Sequence, residues 1–187
     1  MIPIDNKHSD LASLVAIFYD DEQTLGSFRE VDPSDVPTDY RRLLDHHSHM
    51  TVALEESHQS PVDLRVLAVR EISSYYARKI ALARQSDQRV VLFGLVRLNT
   101  SLLSAEAMQA IRQQSEPLGH VLIRHNVLRE VERLRLWRIE PGSELRALFS
   151  LTDDEPIFGR TALIHCNSQP AIELLEIVHT QDPDPNT

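Results

Sequence analysis

The chain has 187 residues, 42% of them hydrophobic and 25% charged, with a formal net charge of -9. That length fits one domain with a buried core. The negative balance argues against a general nucleic-acid surface, which needs a positive field, and no apolar run reaches the roughly 18–20 residues of a membrane span. The opening MIPIDNKHSD pairs no basic stretch with an apolar one, so no secretory leader is expected. Cys166 is the single cysteine and has no partner for an internal disulfide, which fits a reducing, cytoplasmic setting. Only Lys7 and Lys79 are lysines and the other basic residues are arginines, whose rigid fork suits carboxylates.

In chain order, LASLVAIFY reads as a short helical stretch with Ser9 as a candidate cap, and VDPSDVPTD as a loop. A helix is predicted from about Asp39 to Ser57, because Leu43, Leu44, His47, Met50, Thr51 and Leu54 recur at helical spacing. Val62, Leu64, Val66 and Ala68 alternate with polar residues and predict a strand. SSYYARKIALARQ and RVVLFGLVRLN form a predicted hairpin about a turn at Ser86–Gln88. Ser104 caps a helix over SAEAMQAIRQQ, and Pro117 opens another over EPLGHVLIRH. NVLREVERLRLWRIE alternates as a strand, Ser143 is a candidate cap for a short helix to Phe149, and PIFGRTALIHC and PAIELLEIV form a last hairpin about NSQ. QDPDPNT, residues 181–187, reads as a disordered tail behind a single domain over 1–180. Hairpins rather than βαβ units dominate, which predicts an α+β domain with an antiparallel sheet of about six strands flanked by helices.

Side chains in a strand point to alternate faces. Tyr76, Arg78, Ile80 and Leu82 therefore share one face and Tyr75, Ala77, Lys79 and Ala81 the other. Both faces are apolar enough to bury Arg78, and a buried guanidinium needs an anionic partner, either a protein carboxylate or a bound acid. In the last strand Ile172, Leu174, Glu176 and Val178 share a face opposite Glu173, Leu175 and Ile177. Each face thus carries one glutamate among aliphatics, a setting that suits acid–base work and equally a structural ion pair. Arg129 lies between Val127 and Val131 on one face, which Arg133 and Arg135 continue toward solvent. That pattern fits a solvated charged face as well as a binding one.

DHHSH at Asp45–His49 is a weak metal candidate. On a helix Asp45 and His49 would share a face while His46 and His47 point elsewhere, and there is no second ligand cluster, so no metal is expected. No GxSxG, GxxxxGK[ST] or GxGxxG motif occurs.

Four segments in order, LLDHHSHMTVALEE, YYARKIALARQSDQRVVLFGLVRLN, EPLGHVLIRHNVLREVE and GRTALIHCNSQPAIELLEIV, resemble the chorismate lyase superfamily, in particular a branch once known only as an uncharacterised family. The likeness covers most of residues 40–180, and the first 40 residues diverge from it. The resemblance implies an antiparallel sheet enclosing a ligand cavity under helical flaps. It implies a cofactor-independent carbon–oxygen lyase that converts chorismate to 4-hydroxybenzoate and pyruvate. By that resemblance Arg78 binds a carboxylate, Leu118 of the PLG motif and Met50 of HSHMT pack on the ring, and Glu176, with Glu173 as the alternative, handles a proton. Arg129 would meet the second carboxylate of chorismate.

The same fold also serves as the effector-binding part of some bacterial transcription regulators, which carry a winged-helix domain ahead of it. About 40 acidic, proline-containing residues precede the core here, fewer than that module needs. The alternative expectation is a non-catalytic, sensor-like domain that binds a small aromatic acid.

Overall fold

The computed structural model describes residues 11–127, 129–152 and 154–180, excluding the side chains of Glu22, Arg129 and Leu134. Seven strands form one antiparallel sheet: β1 (Gly26–Val31), β2 (Val62–Ile72), β3 (Tyr75–Arg84), β4 (Val90–Asn99), β5 (Arg129–Pro141), β6 (Ile157–Cys166) and β7 (Gln169–Val178). Their order is β1-β5-β6-β7-β4-β3-β2. The α+β class with a helix-flanked antiparallel sheet is as the alternation predicts. The strand missing from the predicted set is β1, whose six residues GSFREV are mostly polar or half-exposed at a sheet edge and carry no clean alternation.

Tight turns set the hairpin registers. Asn167 and Ser168, at φ 52° and 64°, turn β6 into β7, as paired left-handed residues do in two-residue hairpin loops. Gln88, at φ 63°, lies in the turn between β3 and β4. A bulge between Arg133 and Arg135 sets Arg133 opposite Ala162 but Arg135 opposite Thr161. The two arginines therefore occupy opposite faces, and simple alternation, which puts them on one, fails across the extra residue.

One sheet face is covered by α1 (Leu11–Val15) and α6 (Ser143–Phe149), which pack on Phe93, Leu95, Leu175 and Ile177, all buried. Burying each such side chain contributes about 1.5–3 kcal/mol. The cap of α6 is Gly142, with Ser143 inside the helix. The other face carries α2 (Thr38–Leu44), α3 (Met50–His58), α4 (Ala105–Gln113) and α5 (Leu118–Arg124). Two separate apolar clusters form there, one under α2 and α3 and one under α4 and α5.

The expected continuous helix from Asp39 to Ser57 is instead two helices broken at Asp45–His49. Apolar spacing runs on through the break, but the backbone there is held by tertiary bonds described below. Asp45 and His49 thus do not share a helix face, and among the described residues no group of three or more His, Cys, Asp or Glu is placed to hold a metal. Among the same residues no helix is long and apolar enough to cross a membrane. The candidate cap Ser9 and the tail 181–187 lie outside the described residues.

Ser104 does cap α4, its Oγ accepting from the Ala107 amide at 3.1 Å. Ser104→Ala is expected to cost about 1 kcal/mol, read as a lower denaturation midpoint with an unchanged m-value.

Candidate functional site

A cavity of about 590 Å³, its mouth included, opens at the seam between the two apolar clusters. The floor is the sheet. Ile80, Gly94, Glu176, Arg160 and Leu136 follow one another across β3, β4, β7, β6 and β5 in a single cross-strand row. Arg78, Val96, Leu174 and Ala162 form the next row. Gly94 has no side chain between Ile80 and Glu176, so this stretch of the floor is low, and a Cβ there would meet the Ile80 tip at 3.2 Å.

The roof comes from the starts of α3 and α5, through Met50, Thr51, Leu118 and Gly119. Gly119 allows their close approach, because a Cβ at that position would lie 3.1 Å from Thr51 Oγ1. The α3 N-terminus borders the cavity at His49, Met50 and Thr51, and no side chain caps it. A helix N-terminus favours an anion through its free amides and dipole.

Arg78, Glu176, Met50 and Leu118, drawn from four distant segments, all line this cavity. Arg78 is 1% exposed, and its Nε and Nη1 have no hydrogen-bond partner among the described residues. Burial pushes its guanidinium below the usual arginine range. A buried charge of this kind is costly unless something pairs with it.

Glu176 differs from the lone carboxyl expected on an apolar face. Arg160 Nε donates to its Oε2 at 2.7 Å, and Arg160 is itself 1% exposed. Nη1 of the same guanidinium donates to the carbonyls of His46 at 2.9 Å and Leu44 at 3.3 Å. Arg160 is the site residue that sequence reasoning missed. The signal was available, since Phe158, Arg160, Ala162 and Ile164 set a lone charge on an apolar strand face, the pattern that exposes Arg78.

Glu173 is on the opposite face of β7 and does not line the cavity. It is 3% exposed and paired with Arg97, which also approaches Ser13 of α1 at 3.4 Å. The two glutamates part geometrically: alternation puts them on opposite faces, and the arginine on β4 at Glu173's cross-strand position holds it in a pair. Glu173→Gln is expected to cost about 2 kcal/mol by leaving Arg97 poorly paired, while ligand binding at the cavity stays within about twofold, because sites without shared partners act independently. Chemical denaturation and titration of the same variant check both halves. The backbone of Arg129 opens β5, and its side chain lies outside the described residues.

No protein-family model and no curated protein matches the sequence. Solved structures do. The effector domain of PhnF from Mycobacterium smegmatis superposes with TM-score 0.51 at 9% identity, covering 71% of this chain and 88% of that one. The PhnF structure from the same organism gives 0.50 at 9% identity, over 71% of this chain and 64% of that one. A chain described as the ligand-binding domain of a GntR-family transcriptional regulator from Bordetella bronchiseptica gives 0.49 at 9%, over 66% and 92%. At these identities the likeness is one of fold alone, and the fold is the chorismate lyase-like one.

Proposed function

We propose that this chain is a receptor for a small ring-bearing carboxylic acid, held in the cavity with its carboxylate on Arg78. The observation that carries this is the buried guanidinium of a cavity-lining residue, two of whose nitrogens have no partner among the described residues. An arginine fork meets a carboxylate through two parallel charge-assisted bonds. The uncapped start of α3 adds a second source of positive potential, and Met50, Leu118, Val96 and Leu174 supply an apolar surround for a ring.

Charge balance favours a monoanion. Arg160 is already matched by Glu176, so Arg78 is the uncompensated cation among the described lining residues. The effector and ligand-binding domains of similar fold make a binding role the natural comparison. Under this reading the chain takes up a hydroxybenzoate-like acid without turning it over.

Chorismate cleavage is the second reading, favoured by Glu176 sharing the cavity with Arg78. Here the chain is a cofactor-independent lyase of the superfamily's enzyme branch, and Glu176 holds or moves the proton at the ring hydroxyl or ether oxygen. Both carboxylates of chorismate then need a cation, with Arg129 the candidate for the second.

One experiment separates them. The purified protein is incubated with chorismate while 4-hydroxybenzoate and pyruvate are followed, and its melting temperature is measured with 4-hydroxybenzoate. A thermal shift without turnover is the expected result. Turnover above the spontaneous rate establishes the lyase instead, and the absence of both removes the two readings together.

A further inference from the structure

The connection 45–49 between α2 and α3 forms a partition. Ser48 and His49 line both the cavity and an outer pocket, as does Val131 of β5, and His47, Val52, Asn126, Val127 and Glu130 complete the lining of the outer pocket. Moving this strap would join the two spaces.

Its contacts among the described residues include three tethers. His47 Nδ1 is 3.1 Å from the Val131 carbonyl. Asp45 pairs with Arg133 at 2.9 Å, but both partners remain about a quarter to a third exposed, at 32% and 24%. A pair that solvent reaches is worth little. The third tether is Arg160, which is buried and takes the carbonyls of Leu44 and His46 on Nη1 while Nε is on Glu176. Charge-assisted bonds in a dry setting are the strong ones. His46 Nδ1 also lies 3.5 Å from Arg160 Nη1, and burial, followed by the nearby guanidinium, holds this imidazole below its usual range.

We infer that Arg160 is a positioning residue that latches the 45–49 strap shut over the cavity, with one guanidinium joining the strap to the cavity carboxylate Glu176. Ligand contact with Glu176 is then felt at Leu44 and His46, and unlatching opens the way in. The ligand part of this inference rests on the reading of the cavity as an acid site. The latch itself does not.

The test is amide hydrogen exchange on the full chain, with and without 4-hydroxybenzoate, in the parent and in Arg160→Lys. A single ammonium keeps a cation beside Glu176 but lacks the fork needed to hold both carbonyls as well. Because R160K is a substitution at a buried site, R160Q/E176Q is carried alongside it, removing both charges together and leaving two amides that can bond each other. Both variants are expected to raise exchange at residues 44–50 by roughly tenfold while β6 and β7 keep the parent's protection. In the parent, 4-hydroxybenzoate slows exchange at 44–50. In the variants this slowing is lost and the acid dissociates roughly tenfold faster, since weakened closure acts mainly on release.

Unchanged exchange at 44–50 in the variants overturns the latch. So does an equal rise across β6 and β7, which makes Arg160 a general stability element. If the parent shows no response to the acid anywhere, the acid-binding reading fails for that compound, and the unliganded comparison still decides the latch.

Discussion

Arg78→Met is expected to stabilise the unliganded protein while removing acid binding. The guanidinium is 1% exposed, two of its nitrogens have no partner among the described residues, and each unsatisfied buried donor costs about 1–3 kcal/mol. Methionine is unbranched and adaptable, and it would pack beside Ile80, Val96 and Leu174, which line the same cavity. Replacing a poorly paired buried charge by an apolar side chain gains about 1–3 kcal/mol. For a chain of this size that raises the melting temperature by roughly 2–12 °C.

The same change takes away the charge-assisted fork, and affinity for a small acid is expected to fall at least about 100-fold, the cost of truncating one partner of a buried charged pair. A site residue that works against stability is the pattern expected of a functional position. Melting curves of both proteins with and without the acid check the two halves together. A variant that is less stable and binds as before would make Arg78 a structural residue.

Arg160→Ala carries the largest expected loss of stability. It strands the Glu176 carboxylate, 9% exposed, on an apolar strand face and frees the carbonyls of Leu44 and His46. Breaking a buried pair from one side costs about 3–5 kcal/mol. Neutralising both partners together, as R160Q/E176Q does, is expected to recover more than half of that loss, because no bare charge is left behind. A double-mutant cycle measures the coupling. Additive costs for the two sites would mean that the pair at 2.7 Å contributes nothing of its own.

Much of the fold could be read from alternation because the cavity face and the opposite face are both apolar, and on such faces the charges of Arg78 and Glu176 stood out while that of Arg160 was passed over. Arg78 and Glu176 are separated by nearly 100 positions, yet each was marked by its own strand, and the sheet order brings them to one floor. Three features lay beyond a local pattern. At the break over 45–49, Arg160, more than 110 positions away, takes the carbonyls of Leu44 and His46, and no spacing rule carries that information. The bulge in β5 reverses the faces of its later arginines. The edge strand β1 draws its order from pairing with β5 rather than from its own sequence. Glu173 shows the reverse case. Its burial was legible, but its partner Arg97 was not, and burial without a partner reads as function when it is structure.

The central claim is that the buried Arg78 takes a carboxylate. Calorimetric titration of the full chain with 4-hydroxybenzoate and with 4-hydroxybenzamide tests it directly, since the two differ only in the group that Arg78 would meet. The acid is expected to bind at least about 100-fold more tightly than the amide. Equal binding of the two would contradict it.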